Sequence, residues 1–195
     1  FKPHDPLEAN SQGIGMVYQE QSLITTLSVG QNIFFGHEKE FMRMGTVNWK
    51  KMYKEAEKVL AEVGCEDINP RKKVIDLNFA TRQMVEIAKV VNVTKEASGD
   101  NKCLILLDEP TSVLNETEVK RLFTEIRKLT AKGHSVIFVS HRLDEVLEIS
   151  DRVYVYKDGQ NAGNMDIAEA TEARLYELMV GHETTTEYYH LDKQI

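Results

Sequence analysis

The run Cys103-Leu104-Ile105-Leu106-Leu107-Asp108-Glu109-Pro110-Thr111 passes from uniformly apolar to doubly acidic across a single peptide bond. Residues 104–107 carry no polar side chain, which suits a strand buried on both faces of a parallel sheet. Two carboxylates at the end of such a strand are costly unless a cation meets them there. In nucleotide hydrolases that cation is Mg²⁺ with its phosphates, and the strand-end aspartate holds the metal. Glu109 would then face the site where water attacks the terminal phosphate. A plainer reading stays open beside it. Asp108 followed by Pro110 also suits a strand-to-helix turn with an N-cap.

Working outward, Ser135-Val136-Ile137-Phe138-Val139-Ser140-His141 is a second apolar strand, ending on a histidine. Between the two, Val119, Leu122, Phe123, Ile126 and Leu129 recur every three or four residues, which predicts an amphipathic helix over 116–132. Gly133 is placed to end it as a C-cap. Strand, helix and strand form a right-handed crossover, so the strands run parallel and finish on one edge. Ligands bind at that edge in open α/β sheets. The expected fold class is therefore α/β with a mostly parallel core sheet, and Asp108, Glu109 and His141 are candidates for one site.

These residues carry a family resemblance. Asp108-Glu109-Pro110-Thr111, Ser112-Val113-Leu114-Asn115 and Val139-Ser140-His141 resemble the Walker B motif, D-loop and switch histidine of ABC-type ATPases. Gly13-Ile14-Gly15-Met16-Val17-Tyr18-Gln19-Glu20 is similar to the strand and glutamine of the Q-loop, and Gln31-Asn32-Ile33-Phe34-Phe35-Gly36 to the segment after it. Asp151-Arg152-Val153-Tyr154-Val155-Tyr156-Lys157-Asp158-Gly159 resembles the strand and turn beyond the histidine. Met84-Val85-Glu86-Ile87-Ala88-Lys89-Val90 and Met179-Val180-Gly181 narrow the likeness to the ATP-binding subunit of bacterial sugar importers of the ribose, galactose and xylose type. The likeness spans about residues 13–193. Two ABC domains are fused in that family, and the second often lacks the switch histidine, so His141 implies the first.

The resemblance implies roles and partners. Asp108 and Gln19 would hold Mg²⁺, Glu109 would polarise the attacking water, and His141 would contact the γ-phosphate of ATP. Asn115 would belong to the nucleotide site through the D-loop. The signature turn, which reads Leu-Ser-Gly-Gly-Gln in most ABC proteins, is here Leu77-Asn78-Phe79-Ala80-Thr81, followed by Arg82 and Gln83. Asn78, Phe79, Ala80 and Thr81 would meet the ATP held by a partner domain. Bulky Phe79 and Ala80 stand where glycine would allow close approach. Implied partners are membrane-spanning permease subunits, a second ABC domain and, indirectly, a periplasmic binding protein. The implied location is the cytoplasmic face of the plasma membrane, as a peripheral subunit.

No Gly-x-x-x-x-Gly-Lys-Ser/Thr occurs in the 195 residues. That phosphate loop precedes the Q-loop in the family, and the first residue is Phe, so the chain reads as a fragment lacking it, inactive alone as an ATPase. The net charge of −7 and a pI near 5.4 argue against nucleic acid as a partner. With 42% hydrophobic and 28% charged residues the composition is that of an ordinary globular chain. No apolar run approaches the roughly 20 residues needed to cross a bilayer. Cys65 and Cys103 are isolated, and Cys103 reads as a small apolar residue opening its strand. The six histidines show no metal spacing.

The expected organisation is a loose segment over 1–12, a partial ABC nucleotide-binding domain over 13–181, and a linker over 182–195 leading to a second domain. Within the domain, a helical subdomain is expected over about 22–93 and an α/β core over about 103–160. Residues 93–102 read as an exposed polar loop. The expected function is ATP binding and hydrolysis that powers import of a small solute, a sugar by resemblance. Two other readings stay open, a non-catalytic ABC-like regulatory domain and a nucleic-acid helicase. The acidic balance and the Ser-Val-Leu-Asn after Pro-Thr count against the helicase.

Overall fold

The computed structural model describes residues 2–99 and 102–180, and the expected linker over 182–195 lies outside them. The described residues fall into two units that part between Ser140 and His141.

The first unit opens with helix α1 (Pro6–Ser11) where a loose segment was expected. The reason is local. The Asp5 side chain accepts the Glu8 N–H and Pro6 occupies the first turn, where its missing N–H costs nothing. Strand β1 (Ile14–Val17) follows. A helical region comes next, with α2 (Val29–Ile33), a minimal hairpin of β2 (Met42–Arg43) and β3 (Thr46–Val47), and α3 (Trp49–Glu62). Ser28 and Gln31 cap α2 reciprocally, and Asn48 caps α3. Helix α3 buries Met52, Ala56, Val59 and Leu60, while Trp49 falls on the exposed rim.

Helix α4 (Phe79–Ser98) runs well past residue 93, into the stretch expected to be a loop. Thr94 is 1% exposed and Lys95, Glu96 and Ala97 tolerate the helix well. Gly99 ends it at φ 69°, a left-handed cap that glycine adopts without penalty. Polarity suggested a loop here, but most of these polar side chains line the outer face of a helix.

Strand β4 (Leu104–Asp108), helix α5 (Glu116–Ala131) and strand β5 (Ser135–Val139) form the predicted crossover. The sheet order is β1-β4-β5, all parallel, with Val17 paired to Leu107 and Asp108 to Val139. One face, bearing Val17, Ile105 and Leu107, is buried under α4 and α5. Phe123 meets Phe138 edge-to-face at 5.7 Å there. Each such side chain contributes about 1.5–3 kcal/mol by leaving water. The other face is more open, with Met16, Ile137 and Val139 exposed. Gly15 lets α4 approach β1 closely, since a Cβ there would lie 2.4 Å from both Thr94 Oγ1 and Val90 Cγ1.

The second unit contains α6 (Leu143–Ile149), an antiparallel hairpin of β6 (Arg152–Lys157) and β7 (Gln160–Asp166), and α7 (Glu172–Val180). Val146, Val153, Val155, Met165 and Leu175 make its core. Asp158 and Gly159 both take positive φ at the hairpin tip, the tight turn that suits twisted strands. No described helix is long and apolar enough to cross a membrane.

Candidate functional site

The paired acids sit at a built corner. Asp108 is the last residue of the central strand β4 and is half-buried. Glu109 then departs from extended geometry, with φ at +47°, while its N–H donates to the carbonyl of Val139 at 3.0 Å. A β-carbon is strained in that region, so the turn is held by its surroundings rather than by local preference. Those surroundings are buried Pro110, a fully buried Thr111, and backbone hydrogen bonds from Ser112 to Glu109 and from Leu114 to Thr111. Asn115 ends the turn by capping α5, its side chain accepting the Glu118 N–H while Glu118 accepts its own. The N-cap belongs to Asn115, not Asp108, so the plain capping reading of the acidic pair does not describe this corner.

The neighbouring strand β1 runs parallel to β4 and carries the chain to the same edge, where Tyr18, Gln19 and Glu20 are exposed. The segment that follows is tied to α4. Gln21 Nε2 donates to the Phe79 carbonyl at 3.4 Å, and the Ser22 N–H donates to the Glu86 carboxylate. Glu86 is 3% exposed, and its other oxygen has no hydrogen-bond partner. Burial raises its pKa above the ordinary 4.5, against the opposing Ser22 hydrogen bonds and the Lys89 charge. Glutamate at this position was quoted in the sequence only as part of a family likeness, and its tie to Ser22 links residues 64 apart.

The altered signature forms the start of α4. Asn78 has extended backbone and accepts the Thr81 N–H at 2.9 Å, so it caps the helix. Phe79, Ala80 and Thr81 are half-buried in the first turn. The N–H groups of a first turn and the helix dipole favour an anion. Gln21 and Phe79 thus join the Gln19 segment to the signature turn. His141, exposed, is the first residue of the second unit.

Asp108 and Gln19 offer carboxylate and amide oxygen at one sheet edge, a hard donor set that fits Mg²⁺. The fold also gathers half-buried His37 with exposed Glu40 and Glu96, one potential ligand atom of each lying within 4.8 Å of the others. No sequence spacing announced it, because Glu96 lies on α4 and the other two lie before β2.

The sequence profile of one family, described as ABC transporter, matches residues 2–112. Among solved structures, the chain is similar to the ATP-binding cassette MJ1267 of an ABC transporter, at 21% identity and TM-score 0.70, over 90% of this chain and 71% of that one. It is similar to the ADP conformation of the same cassette at 20% identity and TM-score 0.68, over 91% and 72% of the two chains. A nucleotide-free ATP-binding cassette from an ABC transporter matches at 19% identity and TM-score 0.65, over 96% and 72%. At these identities the structural likeness speaks for the fold.

Proposed function

Because the chain belongs to the ABC transporter family, whose profile covers more than half of it, we propose that it is the first nucleotide-binding domain of a sugar importer's ATP-binding subunit. The observation that carries this reading is the corner at the end of β4. A strained Glu109 beside a half-buried Asp108 is expensive for folding and useful for chemistry. Asp108 and Gln19 would hold Mg²⁺, which neutralises phosphate charge when bound. Glu109 would orient and deprotonate the attacking water, His141 would contact the terminal phosphate, and Asn115 would fix the turn behind them. Positioning and charge stabilisation would supply most of the rate.

Asn78, Phe79, Ala80 and Thr81 would present the start of α4 to ATP held by a second ABC domain. An apolar groove of about 500 Å³ between α1, β1 and α4, lined by Met16, Tyr18, Ser22, Glu86 and Lys89, would receive a permease segment at the cytoplasmic membrane surface. Its position beside Gln19 supports a link between nucleotide state and permease. A periplasmic binding protein would deliver the sugar on the far side. The domain would span 13–181, with 182–195 leading onward.

Phe79 and Ala80 favour one second reading, a regulatory ABC-like domain that binds nucleotide without turnover. One experiment separates them. In a chain carrying an upstream phosphate loop, assembled with its permease, Glu109→Gln keeps Mg-ATP binding and lowers hydrolysis by about 10²–10⁴-fold, the usual worth of a general base. Asp108→Asn weakens Mg²⁺-dependent binding instead. Unchanged turnover in Glu109→Gln would reject the catalytic role, and no turnover in the unaltered assembly would favour the regulatory reading.

A further inference from the structure

The turn that follows α2 faces the far end of α4, and three metal-ligating side chains meet there. His37 leads into a single 3₁₀ turn (Glu38–Phe41). Its N–H donates to the Phe34 carbonyl at 2.9 Å, and its carbonyl accepts the Glu40 N–H at 3.2 Å. Buried Phe34 and Phe41 meet edge-to-face at 4.7 Å and anchor the turn on either side. Glu96 approaches from the last turn of α4. Its Oε1 accepts Asn92 Nδ2 at 2.9 Å, one helical turn back, which leaves Oε2 to face His37.

The distances within the trio are informative. His37 Nδ1 lies 3.3 Å from Glu40 Oε1 and 3.5 Å from Glu96 Oε2. One ring nitrogen carries at most one hydrogen, so it cannot give both carboxylates a well-directed bond. Both separations also exceed the usual N–H···O range of about 2.7–3.2 Å. They match instead the edges of a coordination tetrahedron. Zinc bonds of about 2.0–2.2 Å to imidazole nitrogen and carboxylate oxygen set neighbouring ligand atoms about 3.3–3.6 Å apart. All three ligand atoms lie within 4.8 Å of one another, so a cation drawing the two carboxylates together completes the set.

We propose that His37 Nδ1, Glu40 Oε1 and Glu96 Oε2 form a binding site for a divalent cation of the zinc type, with water in the fourth position. Two carboxylates and a neutral imidazole balance its charge. Asn92 is the outer support, since it fixes which Glu96 oxygen is presented. The imidazole selects against Mg²⁺ and Ca²⁺, which prefer oxygen ligands. The cation clips the turn after α2 to one end of α4, the helix whose other end carries Asn78 to Thr81. The site lies within the first unit and owes nothing to nucleotide chemistry, so it stands apart from the function proposed above.

The test uses the 195-residue chain, stripped of metal by a chelator, with Zn²⁺ followed by calorimetry and Co²⁺ by visible absorption. The expected result is one Zn²⁺ per chain at micromolar affinity, the intense Co²⁺ bands of a four-coordinate site, and a urea midpoint raised by Zn²⁺. His37→Ala and Glu96→Gln should each weaken Zn²⁺ by at least ~10-fold, and Asn92→Ala by about 10-fold. His37 is half-buried and Glu96 exposed, and the metal-free urea midpoint of each variant checks that it folds. A variant with His4, His182 and His190 all changed to Ala should bind Zn²⁺ as the unaltered chain does. Millimolar Mg²⁺ should not displace Zn²⁺. No micromolar Zn²⁺ binding, unchanged affinity in His37→Ala and Glu96→Gln, or loss of binding in the triple-histidine variant overturns the site. Displacement by Mg²⁺ overturns the part given to the imidazole.

Discussion

Gly15→Ala is a one-atom test of how α4 is seated on the sheet. The added Cβ would lie 2.4 Å from Thr94 Oγ1 and 2.4 Å from Val90 Cγ1, both on α4. Non-bonded carbon atoms prefer about 3.5–4.0 Å, so the helix or the strand must yield by roughly 1 Å. Neither side chain retreats easily. Thr94 is 1% exposed, and both residues are β-branched and stiff about their first torsion in a helix. Overpacking of this kind costs about 1–3 kcal/mol, and the upper end applies here. The stiffer unfolded chain of alanine returns about 0.4–1 kcal/mol. A net loss near 2 kcal/mol should move the urea midpoint down by about 1 M, taking a denaturant slope of about 2 kcal/mol/M. The single tryptophan, Trp49, lies in the same unit and reports the transition by fluorescence. Adding Val90→Ala to Gly15→Ala should recover part of the loss, with a coupling of about 1 kcal/mol between the two sites. A midpoint shift below about 0.3 M, or strict additivity of the two changes, would refute the close seating.

Glu86→Gln keeps an acceptor for the Ser22 N–H and removes a buried charge. Because the folded-state pKa is raised, the stabilising contribution of Glu86 is complete below 4.5 and is lost as pH rises through the folded value. The variant should therefore gain about 1 kcal/mol in urea titrations at pH 7.5 and nothing at pH 4; an equal gain at both would mean the charge is not the cause. Asn78→Ala removes the cap of α4 and should cost about 1 kcal/mol in the same titration. Asn78→Ser should cost a few tenths at most, and equal losses for the two would assign Asn78 a role other than capping.

The crossover was legible because its signals are local and agree with one another. Residues 104–107 and 135–139 are apolar runs of strand length, and the stripe from Val119 to Leu129 ends at Gly133. Helix α1 was missed because its capping aspartate and proline lie in a stretch with no apolar stripe, and none of its residues is buried. The last turns of α4 were missed for the opposite reason. Thr94 is packed against β1 although its polarity suggested a surface loop. The His37, Glu40 and Glu96 trio was not legible, because it joins the turn after α2 to the last turn of α4, and only the fold brings the two within reach.

The backbone at Glu109 carries a cost to folding. At φ +47° glycine is at ease, whereas any residue with a β-carbon gives up on the order of 1 kcal/mol. A sequence optimised for stability alone would place glycine there. Under the catalytic role proposed for Glu109, a carboxylate at this corner, at the end of the central strand, would be a stability–activity trade-off written in a single dihedral angle. Stabilising designs on this domain should therefore leave position 109 alone and draw on sites such as Glu86, where the cost of a buried charge is separable from the corner itself.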